Sequence, residues 1–240
     1  MRNGIRNQES GIRSGILILI LASYFLIPAS ISAQSVDILW QGYSYTTPFY
    51  QGRTLWSKQS RITLVAIPQG LGDPLSLNYK WTRDGTVLGS LSGVGKNTLT
   101  YLDSILSKPQ SIKVEIIAGQ KTVLASNTEN VVPLSPSLAI YENNPLYGYA
   151  FHREVGGSYK LIDKEITFAS FPLFFSTSSR FGSQIGYQWQ TNVGGIETSN
   201  TVTYRAPEGE SGSSEVKVKV DNKNQITQSA ERTFLVQFRK

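Results

Sequence analysis

The chain has 240 residues, a net charge of +6 at pH 7, one histidine and no cysteine. The absence of cysteine excludes disulfides, a lipidated N-terminal cysteine, thiol catalysis and thiolate metal sites. Because the chain has a single histidine, a metal site with two histidine ligands is also excluded. The basic residues are scattered with no run of three, so we do not expect nucleic acid as a partner.

The first 33 residues have the order of a secretory signal peptide. Arg2, Arg6 and Arg13 come first, residues 15–28 form an apolar run, and small residues follow up to Ala33. The run is shorter than the roughly 20 apolar residues that span a bilayer comfortably, so we predict cleavage after about Ala33 and export to the periplasm, the cell surface or the medium. The alternative is an uncleaved anchor at residues 15–29, the only membrane contact we expect. Cleavage would remove three arginines and one glutamate and lower the net charge from +6 to +4.

The rest of the chain contains a repeat with a period near 104. Five blocks recur in the same order: 48–50 and 145–147, 61–68 and 165–172, 77–81 and 185–189, 97–101 and 200–204, and 112–116 and 216–220. A period of this length is the size of a whole domain, so the pattern indicates domain duplication rather than a solenoid. Two prolines within residues 132–137 cannot continue a sheet ladder. We therefore place domain 1 at residues 34–132, a short stiff linker at 133–137 and domain 2 at 138–240.

The apolar pattern within each copy has the period of β-strands. Residues 62–67 are almost continuously apolar, which predicts a central strand covered on both faces. Large apolar residues alternate with polar ones in residues 75–81, 185–189 and 216–220, which predicts strands with one buried face. Asp84 and Gly85 predict a tight hairpin, and Gly194 and Gly195 stand in the equivalent place. The spacing of strands and turns predicts an all-β chain with two tandem β-sandwich domains.

Several of these segments together resemble a known family. Tyr79, Trp81, Asp84 and Gly85, the pattern Asn97-x-Leu99-x-Tyr101, and residues 112–116 are similar to the C, E and F strands of immunoglobulin-like and PKD-like repeats in bacterial surface proteins. The resemblance covers residues 36–133 and 137–240. It implies immunoglobulin-like sandwiches in which Trp81 and Trp189, with Tyr79 and Tyr187, pack between the sheets. The chain departs from antibody domains because it lacks their cysteine pair, and the aromatic-rich residues 37–53 and 138–154 fall outside the pattern.

The sequence lacks the motifs of common catalytic sites. His152, between Phe151 and Arg153, is interpreted as a surface residue. No nucleophile elbow is present, the aspartates are far apart, and the glycine-rich residues 89–96 lack the ending of a phosphate loop. We therefore predict no enzyme, no catalytic residue, no metal site and no cofactor. An envelope enzyme whose two carboxylates meet in space is kept as an alternative.

One group of aromatic residues has two interpretations. It falls within 17 residues and consists of Trp40, Tyr43, Tyr45, Phe49, Tyr50 and Trp56. Interleaved with amides and hydroxyls, these side chains suit a ligand-binding surface for a sugar or a protein. The other interpretation is packing in the core and between the domains. The second copy keeps Tyr141, Tyr147, Tyr149 and Phe151, which favours a shared structural role.

Export, duplication and fold together predict a non-catalytic structural or adhesive binding protein of the bacterial cell envelope. An accessory role in a surface assembly, such as a pilus or a secretion apparatus, is one form of this hypothesis. The alternative function is a carbohydrate-binding module that uses the aromatics from Trp40 to Trp56 as its platform. The expected partner is accordingly a protein or a glycan at the cell surface.

Overall fold

The computed structural model describes residues 33–119, 121–191 and 194–239. The predicted leader, apart from Ala33, lies outside the described residues. Regular structure within them consists of β-strands and one 3-10 turn at Gly89–Leu91, so the predicted all-β fold is confirmed. No helix in the described part of the chain is long and apolar enough to cross a membrane. Residues Gln34–Lys240 form one compact unit that holds two β-sandwiches.

The first sandwich, sandwich 1, packs two antiparallel sheets face to face. Its strands are β1 (Ser35–Gly42), β2 (Arg61–Gln69), β3 (Asn78–Arg83), β4 (Thr86–Val87), β5 (Gly93–Val94), β6 (Thr98–Leu102), β7 (Gln110–Ala118) and β8 (Thr122–Val131). One sheet has the order β1-β2-β6 and the other the order β4-β3-β7-β8, with β5 paired to β3. Trp81 is fully buried between the sheets, and its indole Nε1 donates to the Lys96 carbonyl at 2.9 Å.

The second sandwich, sandwich 2, has one four-stranded and one five-stranded sheet. Its strands are β9 (Ser137–Asn144), β10 (Gly148–Glu154), β11 (Ser158–Lys160), β12 (Glu165–Leu173), β13 (Ile185–Thr191), β14 (Ile196–Glu197), β15 (Thr201–Arg205), β16 (Gly212–Asn222) and β17 (Ser229–Phe238). The sheet orders are β10-β9-β12-β15 and β11-β17-β16-β13-β14. Trp189 is buried between these sheets, and its indole Nε1 donates to the Ser199 carbonyl at 2.9 Å.

The two sandwiches repeat each other down to individual contacts. Arg61 pairs with Leu102 across β2 and β6, as Glu165 pairs with Arg205 across β12 and β15. Two residues along each strand, the hydroxyls of Thr63 and Thr100 lie 3.0 Å apart, and those of their counterparts, Thr167 and Thr203, lie 2.8 Å apart. This equivalence identifies, for each end of sandwich 1, the matching end of sandwich 2.

The predicted hairpin at Asp84 and Gly85 is confirmed, because Arg83 pairs with Thr86. Two of the strand predictions are wrong in detail. Strand β3 begins at Asn78 and not at Leu75, because Asp73 holds Leu75 and Ser76 in a turn through hydrogen bonds of 3.0 and 2.8 Å. Strand β2 is central in its sheet but is covered on one face only. Its counterpart β12 is buried on both faces, for a reason found at the candidate site.

The proline-containing segment between the sandwiches is held against sandwich 1. Leu134 forms a parallel bridge with Ser57. Its amide donates to the Trp56 carbonyl at 2.9 Å, and its carbonyl accepts from the Lys58 amide at 3.1 Å. Strand β9 then begins directly at Ser137. The path of the chain into sandwich 2 is therefore fixed by backbone hydrogen bonds.

A carboxylate between two lysines lies on the outer face of sandwich 1. The Glu115 carboxylate accepts from Lys113 Nζ at 2.7 Å and from Lys80 Nζ at 2.8 Å. These hydrogen bonds, that from Lys113 first, hold the pKa of Glu115 below its ordinary value. The ionised form is therefore favoured by folding.

Glu115 is expected to stabilise the fold near neutral pH and to lose this contribution at acidic pH. A carboxyl group with a lowered folded pKa stabilises the fold above its unfolded pKa of about 4.3, and this stabilisation is lost as the pH falls towards the folded value. In urea denaturation, Glu115→Gln should be less stable than the unaltered protein at about pH 7, and the difference should shrink by about pH 3. A difference that stays constant across this range would contradict the assignment.

Candidate functional site

Strands β1 and β2 are joined by residues 43–60, which we call the connecting segment. Two of the predicted aromatics, Trp40 and Trp56, pack within sandwich 1. Trp56 is fully buried in its core, and the indole Nε1 donates to the Ser60 carbonyl at 3.3 Å. Trp40 is half-buried, donates from Nε1 to Glu129 at 3.0 Å, and has the guanidinium of Arg53 3.7 Å from its ring. Neither ring offers a free face to a ligand.

Tyr43 and Tyr50 are partly exposed on the surface of sandwich 1. The Tyr50 hydroxyl donates to the Arg53 carbonyl at 3.1 Å, and the Arg61 guanidinium lies 5.9 Å from the Tyr43 ring. The six aromatics from Trp40 to Trp56 are therefore divided between a core, a surface and the other sandwich. They do not form one platform.

Tyr45 joins the connecting segment to sandwich 2. Its amide donates to the Phe175 carbonyl at 2.8 Å, and its carbonyl accepts from the Phe174 amide at 2.7 Å. Burial is the main reason why the pKa of Tyr45 is raised, and the charge of Arg180 partly offsets it. The segment thus forms a short two-bond ladder with the end of β12.

A buried polar contact, the joint, lies beside this ladder. The Gln59 Oε1 accepts from the amide and hydroxyl of Thr227 at 2.8 and 2.6 Å. The Gln228 Nε2 donates to the Lys58 carbonyl at 2.6 Å and to Ser176 Oγ at 2.8 Å, while Gln228 Oε1 accepts from the Ser176 amide at 2.8 Å. Gln59 and Gln228 are both buried. Because a buried amide without partners is costly, this network favours a single orientation of the two sandwiches.

Rings cover the outer face of the β10-β9-β12 sheet. Tyr141, Tyr149, Phe151 and Phe171 contact one another with centroids 5.2–5.5 Å apart, mostly edge to face. Phe49 from the connecting segment meets Phe151 edge-on at 5.3 Å. We call these five residues the aromatic surface; Tyr141 and Phe171 are buried at its base, Tyr149 and Phe151 are partly buried, and Phe49 is exposed. These rings cover the outer face of β12, which is therefore buried on both faces. Sandwich 2 contributes four of the rings, and the connecting segment contributes Phe49.

An arginine is stacked within the aromatic surface. The Arg180 side chain is buried, with its guanidinium 4.4 Å from the Phe171 ring and 4.7 Å from the Tyr149 ring. It donates to the Tyr149 hydroxyl and, at 3.4 Å, to the Ser170 carbonyl. Cation–π contacts of this kind stabilise a desolvated cation by about 2 kcal/mol. Arg180 thereby fixes the ring of Tyr149 against the sheet.

Backbone strain is concentrated at these contacts. Phe49, Gln59 and Phe174 have positive φ angles of 62°, 53° and 64°. For bulky side chains such as phenylalanine this conformation is unfavourable, by about 1–3 kcal/mol for each residue. The strain persists because the joint, the ladder and the aromatic surface hold these residues in place.

The joint could not be found from sequence, because glutamines in polar loops have no pattern that reveals a buried role. Of the aromatic surface, the sequence had identified Phe49, Tyr141, Tyr149 and Phe151, but not their common location. The described residues contain no group of three or more histidine, cysteine or acidic side chains that could hold a metal ion. His152 is exposed on β10.

No protein-family model matches the sequence, and no curated protein matches it. Among solved structures, the three N-terminal domains of the Hoc capsid protein of bacteriophage RB49 match with 15% identity and a TM-score of 0.42, over 86% of this chain and 59% of that chain. Fibronectin(III)-like modules of Clostridium thermocellum CbhA match with 11% identity and a TM-score of 0.27, over 85% and 94%. The tandem V-type regions of VCBP3, a chitin-binding protein, match with 7% identity and a TM-score of 0.22, over 83% and 99%. The chain's own strand order shows two β-sandwiches.

Proposed function

We propose that this chain is a non-catalytic, exported structural or adhesive protein of the bacterial cell envelope that binds a protein partner through its aromatic surface. The order of residues 1–33 supports export, and the duplicated sandwiches support a structural role. Cleavage of the leader, or its retention as an anchor, decides whether the protein is free or membrane-attached.

The aromatic surface is the observation that carries this proposal. The outer face of an antiparallel sheet in a sandwich is ordinarily solvated and polar. Here it holds four packed rings, and a fifth, that of Phe49, is 83% exposed above them. An exposed aromatic side chain that stands on a rigid, partly buried aromatic cluster is typical of a protein-binding hot spot.

A protein partner is favoured over a sugar by the geometry of the rings. Sugar stacking requires a flat ring face open to the ligand, whereas the contacts of Phe151 with Phe49, Tyr141 and Phe171 are edge to face, at interplanar angles of 86°, 73° and 75°. Edge-to-face packing covers ring faces with neighbouring rings. The alternative platform from Trp40 to Trp56 is disfavoured because Trp56 is buried and Arg53 covers Trp40.

A photoreactive phenylalanine analogue at position 49, installed in the producing cells, is expected to form one discrete adduct with an envelope protein. Phe49 is the most exposed member of the aromatic surface, so its replacement should leave the fold intact. Phe49→Asp should abolish binding of the protein identified in this way, because it places a charge at the centre of the contact.

Leu106 supplies the matched control. It is 84% exposed on sandwich 1, outside the aromatic surface. The analogue at position 106 should give no adduct, and Leu106→Asp should leave binding unchanged. Retention of the protein in the cytoplasm, or no adduct from position 49, would refute the proposal.

A further inference from the structure

The end of sandwich 1 that meets sandwich 2 has a counterpart in sandwich 2. The Asp103 amide donates to the Ser60 carbonyl at 3.1 Å, and the Ala206 amide donates to the Lys164 carbonyl at 3.0 Å. Ser60 lies directly before β2 and Lys164 directly before β12, so the two hydrogen bonds are equivalent. The end of sandwich 2 around Lys164 and Ala206, the terminal face, therefore corresponds to the end of sandwich 1 beside the joint.

The terminal face contains an open cleft, whereas the corresponding end of sandwich 1 is covered by sandwich 2. In sandwich 1 this end is closed by the hydrogen bonds of Gln59 with Thr227 of sandwich 2. In sandwich 2 a cleft of about 1180 Å³ lies at the same end. Its lining includes Leu161, Glu165, Arg205, Glu208 and Phe238.

Large apolar side chains are exposed around the terminal face. Ile162, two residues before Lys164 in the chain, is 88% exposed. Strand β9 runs antiparallel to β12, so the turn that follows β9 lies at the end where β12 begins. In that turn Leu146 is 83% exposed and Tyr147 is 87% exposed. Exposed apolar residues gathered at one end of a domain mark an interaction surface.

The salt bridges at the cleft do not oppose docking. Arg205 pairs with Glu165 at 2.7 Å, and Lys164 pairs with Glu208 at 3.8 Å. All four side chains are more than half exposed, and such surface pairs contribute little to stability. Their charges can therefore be re-paired with an incoming surface of mixed charge.

We propose that the terminal face docks the free end of sandwich 1 of a second copy, so that copies associate head to tail. The contact between the sandwiches within one chain is the precedent. It joins the end of sandwich 1 beside the joint to the end of sandwich 2 that follows β12, at Phe174 and Phe175. The free end of sandwich 1 follows β2, as that end of sandwich 2 follows β12. Its Leu75 is 70% exposed and lies beside the acidic Asp73. The terminal face offers the apolar Ile162 beside charges of both signs, the basic Lys164 and Arg205 and the acidic Asp163, Glu208 and Glu210. Leu75 can pack against Ile162 while the Asp73 carboxylate pairs with one of the two cations.

The interface is heterologous, so one copy leaves a free face for the next. In sedimentation velocity, protein purified from the producing cells is expected to form species that grow beyond a dimer as its concentration rises. Ile162→Asp and Leu75→Asp alter opposite sides of the contact at exposed positions, so each alone should leave the fold intact and the protein monomeric. Leu106→Asp, the matched control, should assemble normally.

Mixing the two variants gives the sharpest test. Ile162→Asp keeps an intact Leu75 end and Leu75→Asp keeps an intact terminal face, so the mixture should form a dimer and nothing larger. A monomer at every concentration, a mixture that stays monomeric, or a dimer abolished by Ile162→Asp but not by Leu75→Asp would overturn the inference. The adduct at position 49 is measured separately, so these outcomes leave the proposed function to its own test.

Discussion

Replacing Trp189 with alanine is expected to lower the free energy of unfolding by about 3–5 kcal/mol, the range for large aromatic side chains removed from cores. The indole is buried between the sheets of sandwich 2, and its Nε1 satisfies the Ser199 carbonyl at 2.9 Å. The substitution therefore opens a cavity and leaves a carbonyl without its partner. Trp81→Ala should have an effect of the same size in sandwich 1, because the indole of Trp81 makes the equivalent bond to Lys96.

Urea denaturation followed by circular dichroism would measure these losses. Trp189→Phe keeps most of the buried area and should lose less than the alanine variant, which keeps the test valid if Trp189→Ala does not fold. Tyr147→Ala, at an exposed position, should change stability by no more than about 0.5 kcal/mol. A Trp189→Phe variant that is no more stable than Trp189→Ala would argue against the packing described for this residue.

Replacing Gln228 with leucine is expected to uncouple the two sandwiches. The side chain is buried and satisfies the Lys58 carbonyl, the Ser176 amide and Asn222 Nδ2, at 2.6, 2.8 and 2.8 Å. Each buried group left without a partner costs about 1–3 kcal/mol, and leucine can supply none of these bonds. Calorimetry should show one unfolding transition for the unaltered protein and two for Gln228→Leu.

Gln188→Leu is the matched control for that experiment. Gln188 is exposed on β13, so the same chemical change should leave a single transition. Two transitions in the unaltered protein, or one transition in Gln228→Leu at an unchanged temperature, would contradict the role assigned to the joint.

The fold could be predicted to the extent that it depends on local periodicity. The blocks at 61–68 and 165–172 became β2 and β12, because alternating or continuous apolar side chains must be buried by a sheet. Leu75 was placed in a strand although it lies in a turn, since the hydrogen bonds of Asp73 overrode the alternation. Local chemistry at a single aspartate was sufficient to move the start of that strand.

The candidate site was less predictable because its residues meet only in the folded protein. Phe49 and Phe151 are far apart in sequence, and nothing in either segment indicates that their rings pack at 5.3 Å. Gln59 and Gln228 have the composition of ordinary loops, although both are buried. Sequence identified the aromatic residues as a group, but only tertiary contacts separate Trp56 in a core from Phe49 on a surface.

The aromatic surface requires the two sandwiches to be held in one orientation, because Phe49 of sandwich 1 packs on Phe151 of sandwich 2. Because the chain has no cysteine, spin labels can be placed only at introduced positions, such as Thr86→Cys in sandwich 1 and Glu215→Cys in sandwich 2, both of which are exposed. Pulsed electron paramagnetic resonance on this double variant is expected to give one narrow distance distribution, which Gln228→Leu should broaden. A broad distribution in the protein with an intact Gln228, unchanged by its replacement, would contradict the claim.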